Sequence, residues 1–259
     1  MDHLVAPIFA LCMFVGMMIC LEIGRRLGKR SLAKDPQGSI GISVVQGAVF
    51  SLFGLLVSFT FSGAPARLDA RKRILQDEAN AIGTAYLRLD LLSPASQPAM
   101  RERFRNYVDS RLETYRKLPD VQAAEVELSK CSKLQSDIWT QALLASRSPG
   151  ADPDALKLLM PSLNEMFDIA SSRTMSSMTH PPLTIFALLF LLALASSALA
   201  GHGMAGSKHR NWLLITGFAA VYVVSVYVTL EIEYPRVGIL SSVETKYDQV
   251  LVDVRESMK

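Results

Sequence analysis

Apolar residues in this chain gather into four runs, at about 4–23, 40–61, 183–201 and 212–230, and the charged residues gather between the second and third. An α-helix rises ~1.5 Å per residue, so ~20 residues cross the ~30 Å hydrocarbon core of a bilayer. Each run is close to that length and nearly free of charge. The pattern predicts an all-α membrane protein with four transmembrane helices in two pairs. The first hairpin is expected over 1–62 and the second over 183–231. A soluble block, 63–182, separates them, and 232–259 reads as a polar tail.

Within the block no segment alternates like a strand, and helical spacing dominates. Leu68, Leu75, Ala79, Ile82, Tyr86 and Leu89 share one face of a helix over 66–92, which runs on from the second apolar run with Gly63 and Pro65 between. Pro94 and Pro98 break it. Further amphipathic helices are predicted over 99–117, 121–146 and 154–178, with Pro119, Ser148-Pro149-Gly150 and His180-Pro181-Pro182 as the breaks. Four such helices bury their stripes against one another as a bundle inserted between the second and third transmembrane helices.

Composition refines this. The hydrophobic fraction is 50%, but 20% of residues are charged, and the block holds 16 Lys/Arg and 15 Asp/Glu. It is a near-neutral domain large enough for a modest core. The net charge of +3 gives no reason to expect nucleic acid as a partner. Three cysteines, Cys12, Cys20 and Cys131, imply no disulfide framework, and four scattered histidines lack metal-ligand spacing, so no metal or cofactor is expected. The first run reads as a retained helix and not a secretory signal. No basic residue precedes it, and Arg25, Arg26, Lys29 and Arg30 follow it.

Charge in short loops sets orientation. Loop 24–39 is strongly basic, and loop 202–211 carries Lys208 and Arg210 without an acid. Both are placed in the cytoplasm, with the block and both termini outside a bacterial inner membrane. Arg67, Arg71, Lys72 and Arg73, after the second helix, count against this placement.

Two stretches resemble a known family. Arg67 to Arg73, then Asp77-Glu-Ala-Asn-Ala-Ile-Gly-Thr-Ala-Tyr-Leu-Arg88, resembles the basic helix start and Glu-Ala-Asn-Ala pattern of the bacterial bestrophin-like domain family, with Glu78, Asn80, Gly83 and Tyr86 as matches. Leu230 to Gly238 resembles the family's acidic, Pro, then Gly ending through Glu233, Pro235 and Gly238; Glu233 stands where aspartate is more usual. The family layout of two helices, a helical block and two helices covers nearly the whole chain. The resemblance implies kinship with bestrophins, which are oligomeric anion channels, and hence a homo-oligomer in a lipid bilayer acting on small anions. In bestrophins the block is cytoplasmic, a departure from the charge count here.

Candidate functional residues follow. On the second helix, Gly47, Ser51, Gly54, Ser58 and Ser62 form a small-residue stripe, either a close-packing face or a narrow polar pore wall. Phe50, Phe53, Val57 and Phe61 form another row, either lipid-facing or a hydrophobic constriction that gates by dewetting. Gln46 is the strongly polar side chain of this helix. Glu22, Glu231 and Glu233 lie near helix ends, where they are either solvated or paired. An arginine of the 67–73 cluster is the natural partner of Glu231 or Glu233; alternatively Arg71, Lys72 and Arg73 concentrate anions at a vestibule. Asp77, Glu78 and Asn80 invite a metal reading, but adjacent helical side chains point ~100° apart, which favours pairing within the bundle.

The function expected is therefore an oligomeric bestrophin-like channel or pore for small anions. The alternative is a non-conducting scaffold or sensor whose bundle binds a partner. No Ser-His-Asp set, P-loop or Gly-rich nucleotide turn is present, and an enzyme is not expected.

Overall fold

The computed structural model describes residues 5–34, 39–118, 120–207, 212–234 and 248–258. Pro235 and Gly238 of the family-like ending, Pro119, and Lys208 and Arg210 of the second short loop lie outside these residues. Among the described residues there are eight α-helices and no strand. They are α1 (Val5–Lys34), α2 (Ser39–Leu87), α3 (Gln97–Arg116), α4 (Val121–Ala145), α5 (Ala155–Met178), α6 (Leu183–Gly203), α7 (Trp212–Glu233) and α8 (Gln249–Ser257). Four are long and apolar enough to cross a membrane: α1, α2, α6 and α7. The chain divides into two compact units, one of Met1–Leu68 with His180–Gly238, the other of Asp69–Thr179 with Ile239–Lys259.

In the first unit, α1 packs along α6 and also against α7. Glycine sets the α1–α6 spacing. A Cβ on Gly24 would lie 1.9 Å from the Ala198 carbonyl oxygen, and one on Gly201 would lie 1.9 Å from that of Leu21. Any larger residue there forces the helices apart. In lipid, where burying a leucine gains little, close backbone approach is what holds helices together. The two helices run in the same direction, since Gly16 faces Leu194 and Gly28 faces Ala205. Bulky rings fasten α2 to α7: Phe53 against Tyr222 at 4.5 Å between ring centroids, and Phe50 against Phe218 at 5.9 Å. Met13, Met17, Phe186, Leu189 and Val226 complete this core.

The second unit contains the end of α2 with α3, α4, α5 and α8. Ile82, Leu89, Phe104, Tyr107, Ile138, Leu159 and Leu163 are fully buried in its core. Local signals set the helix ends. Pro98 stands in the first turn of α3, where its missing N–H costs nothing. Asp120 caps α4 by accepting from the Ala123 N–H at 3.0 Å. Gly150, with φ of +84°, makes the turn before α5. Proline is also present inside α2, at Pro65, without ending the helix.

The segment read as a polar tail contains α8. Leu251 and Met258 are buried in the core of the second unit. Both the Tyr86 hydroxyl and Arg105 Nη1 donate to the Met258 carbonyl at 3.1 Å. Arg255 grips Asp109 through Nε at 2.7 Å and Nη2 at 3.0 Å.

Candidate functional site

Two places concentrate the residues singled out from the sequence: the apolar half of α2, and the buried charges of each unit.

On α2 the aromatic row does not stay together. Phe53 is 0% exposed inside the first unit, Phe50 is half-buried against Phe218 of α7, and Val57 is half-buried at the edge of the same core; Phe61 alone of the row is exposed. The small-residue stripe has the opposite environment. Ser51, Ser58 and Ser62 are exposed, and a Cβ on Gly47 or Gly54 would meet nothing within 4 Å. Close packing in this chain occurs instead at Gly24, Gly28 and Gly201. The Gly24-x-x-x-Gly28 spacing was the available signal for it. Gln46 is half-buried, with its amide against Gly203: a Cβ there would lie 2.8 Å from Gln46 Oε1.

At the far end of α7 stand Glu231 and Glu233, both buried in the first unit. Arg67 donates to Glu233 Oε1 through Nε at 2.6 Å and also through Nη2. Glu231 is 5% exposed, and no hydrogen bond of standard geometry reaches either oxygen, although Tyr227, one turn earlier, is close enough to feel its charge. Of the remaining cluster, Arg71 donates to the Thr179 carbonyl at 2.9 Å within the second unit. Arg73 is exposed.

The second unit holds a buried ion network centred on Glu78, itself 0% exposed. Arg111 Nε donates to Oε1 at 2.6 Å and Arg173 Nη1 to Oε2 at 2.7 Å. Arg173 Nη2 continues to Asp248 at 3.0 Å, and its guanidinium lies 3.6 Å over the Tyr115 ring. Arg111 Nη2 reaches the Tyr115 hydroxyl at 2.9 Å and the Ala170 carbonyl at 3.3 Å. Burial alone would push the Glu78 carboxyl up, but the two guanidiniums outweigh it and hold the carboxyl below its ordinary value. Burial likewise opposes the charge on Arg111, and the Glu78 carboxylate outweighs that, so Arg111 stays firmly protonated. Asp77 is exposed while Glu78 is buried, so the two carboxylates do not converge on an ion. Asn80 is exposed, and Gly83 has no neighbour at its Cβ position. Tyr86 is buried edge-on to Phe104. Arg111, Arg173 and Asp248 escaped the sequence reading, because a charged residue on an amphipathic helix carries no local mark of burial.

An all-helical chain with four membrane-length helices, a small-residue stripe on one of them and a salt-bridged helical unit belongs to the class of helical membrane proteins. Within that class its family is identifiable: the bestrophin-like domain matches residues 11–245, and the chain belongs to the bestrophin-like family. Two structures of a bacterial bestrophin homologue from Klebsiella pneumoniae, each carrying one point mutation, share the fold. One has a TM-score of 0.63 at 14% identity, covering 94% of this chain and 99% of the homologue. The other has a TM-score of 0.60 at 13% identity, covering 93% and 98%. No curated protein matches the sequence.

Proposed function

We propose that the protein is an oligomeric channel or pore for small anions in the bacterial inner membrane, built as two hairpins of spanning helices with the helical bundle inserted between them. The observation that carries this reading is the open face of α2. In a family named for bestrophins, the second apolar helix presents an exposed strip of Gly47, Ser51, Gly54, Ser58 and Ser62, with open space at the Cβ positions of both glycines. Serine hydroxyls supply donors and acceptors to a passing ion, and glycines let the wall come close. Several copies with this strip toward a common axis would form a path that four helices from one chain are too few to enclose. The sequence charge count favours loops 24–39 and 202–211 on the cytoplasmic side.

The test is mass first, flux second. The protein in nanodiscs is expected to scatter light as a closed ring of four or more copies and to pass chloride when reconstituted into liposomes. Ser58→Phe is expected to block that flux, and Phe53→Ala to lower stability without opening a leak. A monomer or dimer would sink the channel reading and favour the scaffold or sensor.

A further inference from the structure

The C-terminal half of α1 carries a buried cation with no counter-charge among the described residues. Arg25 is 6% exposed. Its Nη2 donates to the Ser207 carbonyl at 3.2 Å, and its Nε has no acceptor. No carboxylate among the described residues lies within ion-pair distance of it. Glu22, one turn before, takes Arg26 Nε at 3.1 Å. Elsewhere in the chain buried guanidiniums are bonded to carboxylates, as Arg111 and Arg173 are. A buried charge is tolerated when it is paired, and no carboxylate partner of Arg25 is present among the described residues.

Arg25 lines one end of a 620 Å³ groove between α1 and α7, entirely within the first unit. That size is within the roughly 300–1,000 Å³ of sites that hold small ligands. Glu22 and Arg26, bonded to each other, line the groove beside Arg25, and the other walls are apolar, Phe14, Met18, Ile19 and Ile215 among them, with Trp212. Ile19 and Trp212 are exposed on the surface of the unit. Tryptophan is the residue that marks the boundary between hydrocarbon and headgroups. Arg26, Lys29 and Arg30 follow within the next turns and are exposed, so the field at this end is positive.

We propose that this groove binds an anionic phospholipid, with its phosphate neutralising Arg25 and an acyl chain lying along Ile19 and Met18. The two halves of the groove match the two halves of that molecule, one apolar and one anionic. A free anion would use the arginine and leave the apolar walls empty. A zwitterionic lipid would fill the walls but supply no net charge. The inference is independent of whether the protein conducts.

The experiment is native mass spectrometry of the full chain in detergent with added phosphatidylglycerol or phosphatidylcholine. The wild type is expected to retain phosphatidylglycerol about tenfold more than phosphatidylcholine, the size of one charge-assisted bond. Arg25→Gln should abolish the preference. Ile19→Trp, at an exposed position that the core does not depend on, should reduce retention of both lipids and decides the matter if Arg25→Gln fails to fold. Equal retention of the two lipids by the wild type overturns the proposal, as does unchanged retention in Ile19→Trp. Displacement of phosphatidylglycerol by millimolar inorganic phosphate would make the ligand a free anion instead. A change of oligomeric mass in Ile19→Trp would make the groove a contact with a second copy.

Discussion

The two units treat buried charge in opposite ways. In the second, Glu78, Arg111, Arg173 and Asp248 form one connected set, and Tyr115, Thr174 and the Ala170 carbonyl take up the remaining donors of Arg111. In the first, among the described residues, Arg25 has one carbonyl and no carboxylate, and Glu231 has no bond of standard geometry to either oxygen. The cohesion differs to match. The second unit has a broad core of large side chains, as water-driven burial provides. The first relies on glycine-mediated backbone contact between α1 and α6 and on a few rings. A domain that completes its own electrostatics is structural by design.

That contrast can be broken at its strongest point by Glu78→Leu. It leaves two guanidiniums buried, and the loss is expected at about 3–5 kcal/mol of unfolding free energy. Denaturant unfolding followed by circular dichroism measures it, and adding Arg111→Met should recover part. Next come the glycines. Gly201→Ala places a methyl onto the Leu21 carbonyl and should cost about 1–3 kcal/mol, whereas Gly54→Ala, which meets nothing in its own chain, should leave a monomer's unfolding unchanged. Thermal unfolding of each variant in the same detergent separates the two.

Acid sharpens the comparison more gently. The Glu78 carboxyl is held low in the folded state, so its contribution is present above the ordinary glutamate range and lost as pH falls through the lower folded value. The unfolding temperature should therefore decline on the acid side, and Glu78→Gln should flatten that decline; a wild-type slope surviving in Glu78→Gln would assign it to other carboxylates. The smallest effect is expected for Arg255→Ala. Its pair with Asp109 is partly solvated, and the change should stay within about 1 kcal/mol. Hydrogen exchange of α8 is the sensitive readout, and it should rise.

How much of this was legible depended on whether the signal was local. The four apolar runs and the amphipathic stripes are local, and α3, α4 and α5 lie within two residues of the intervals read for them. So is the continuity of α2 across Pro65, which follows from the lack of any longer interruption. The Arg111 network was not legible. α3 buries Tyr107, Val108, Ser110, Arg111, Leu112, Thr114 and Tyr115, more than one face of a helix, because neighbours surround it. A periodicity argument assigns one stripe inward and the rest outward, so it places Arg111 in water. What covers the Phe50–Phe53–Val57 row was not legible for a related reason. Apolar spacing marks a face but not what covers it, and in a spanning helix lipid, a neighbouring helix and a pore all read alike. The α8 segment did carry a signal, since Leu251, Val254 and Met258 recur at helical spacing. Nine residues are too few for that pattern to stand out among polar neighbours.

Because α8 belongs to the second unit, that unit is not contiguous along the chain. During synthesis, α2 through α5 leave the ribosome first, then the two membrane-length helices α6 and α7, and only afterwards Asp248, Leu251 and Met258. Until then Arg173 lacks one of its two carboxylates, and the Tyr86 hydroxyl lacks the carbonyl it bonds, 172 positions away. An excised fragment of 69–179 would share that unfinished state permanently. The last step of building this unit thus waits on the apolar helices having been made.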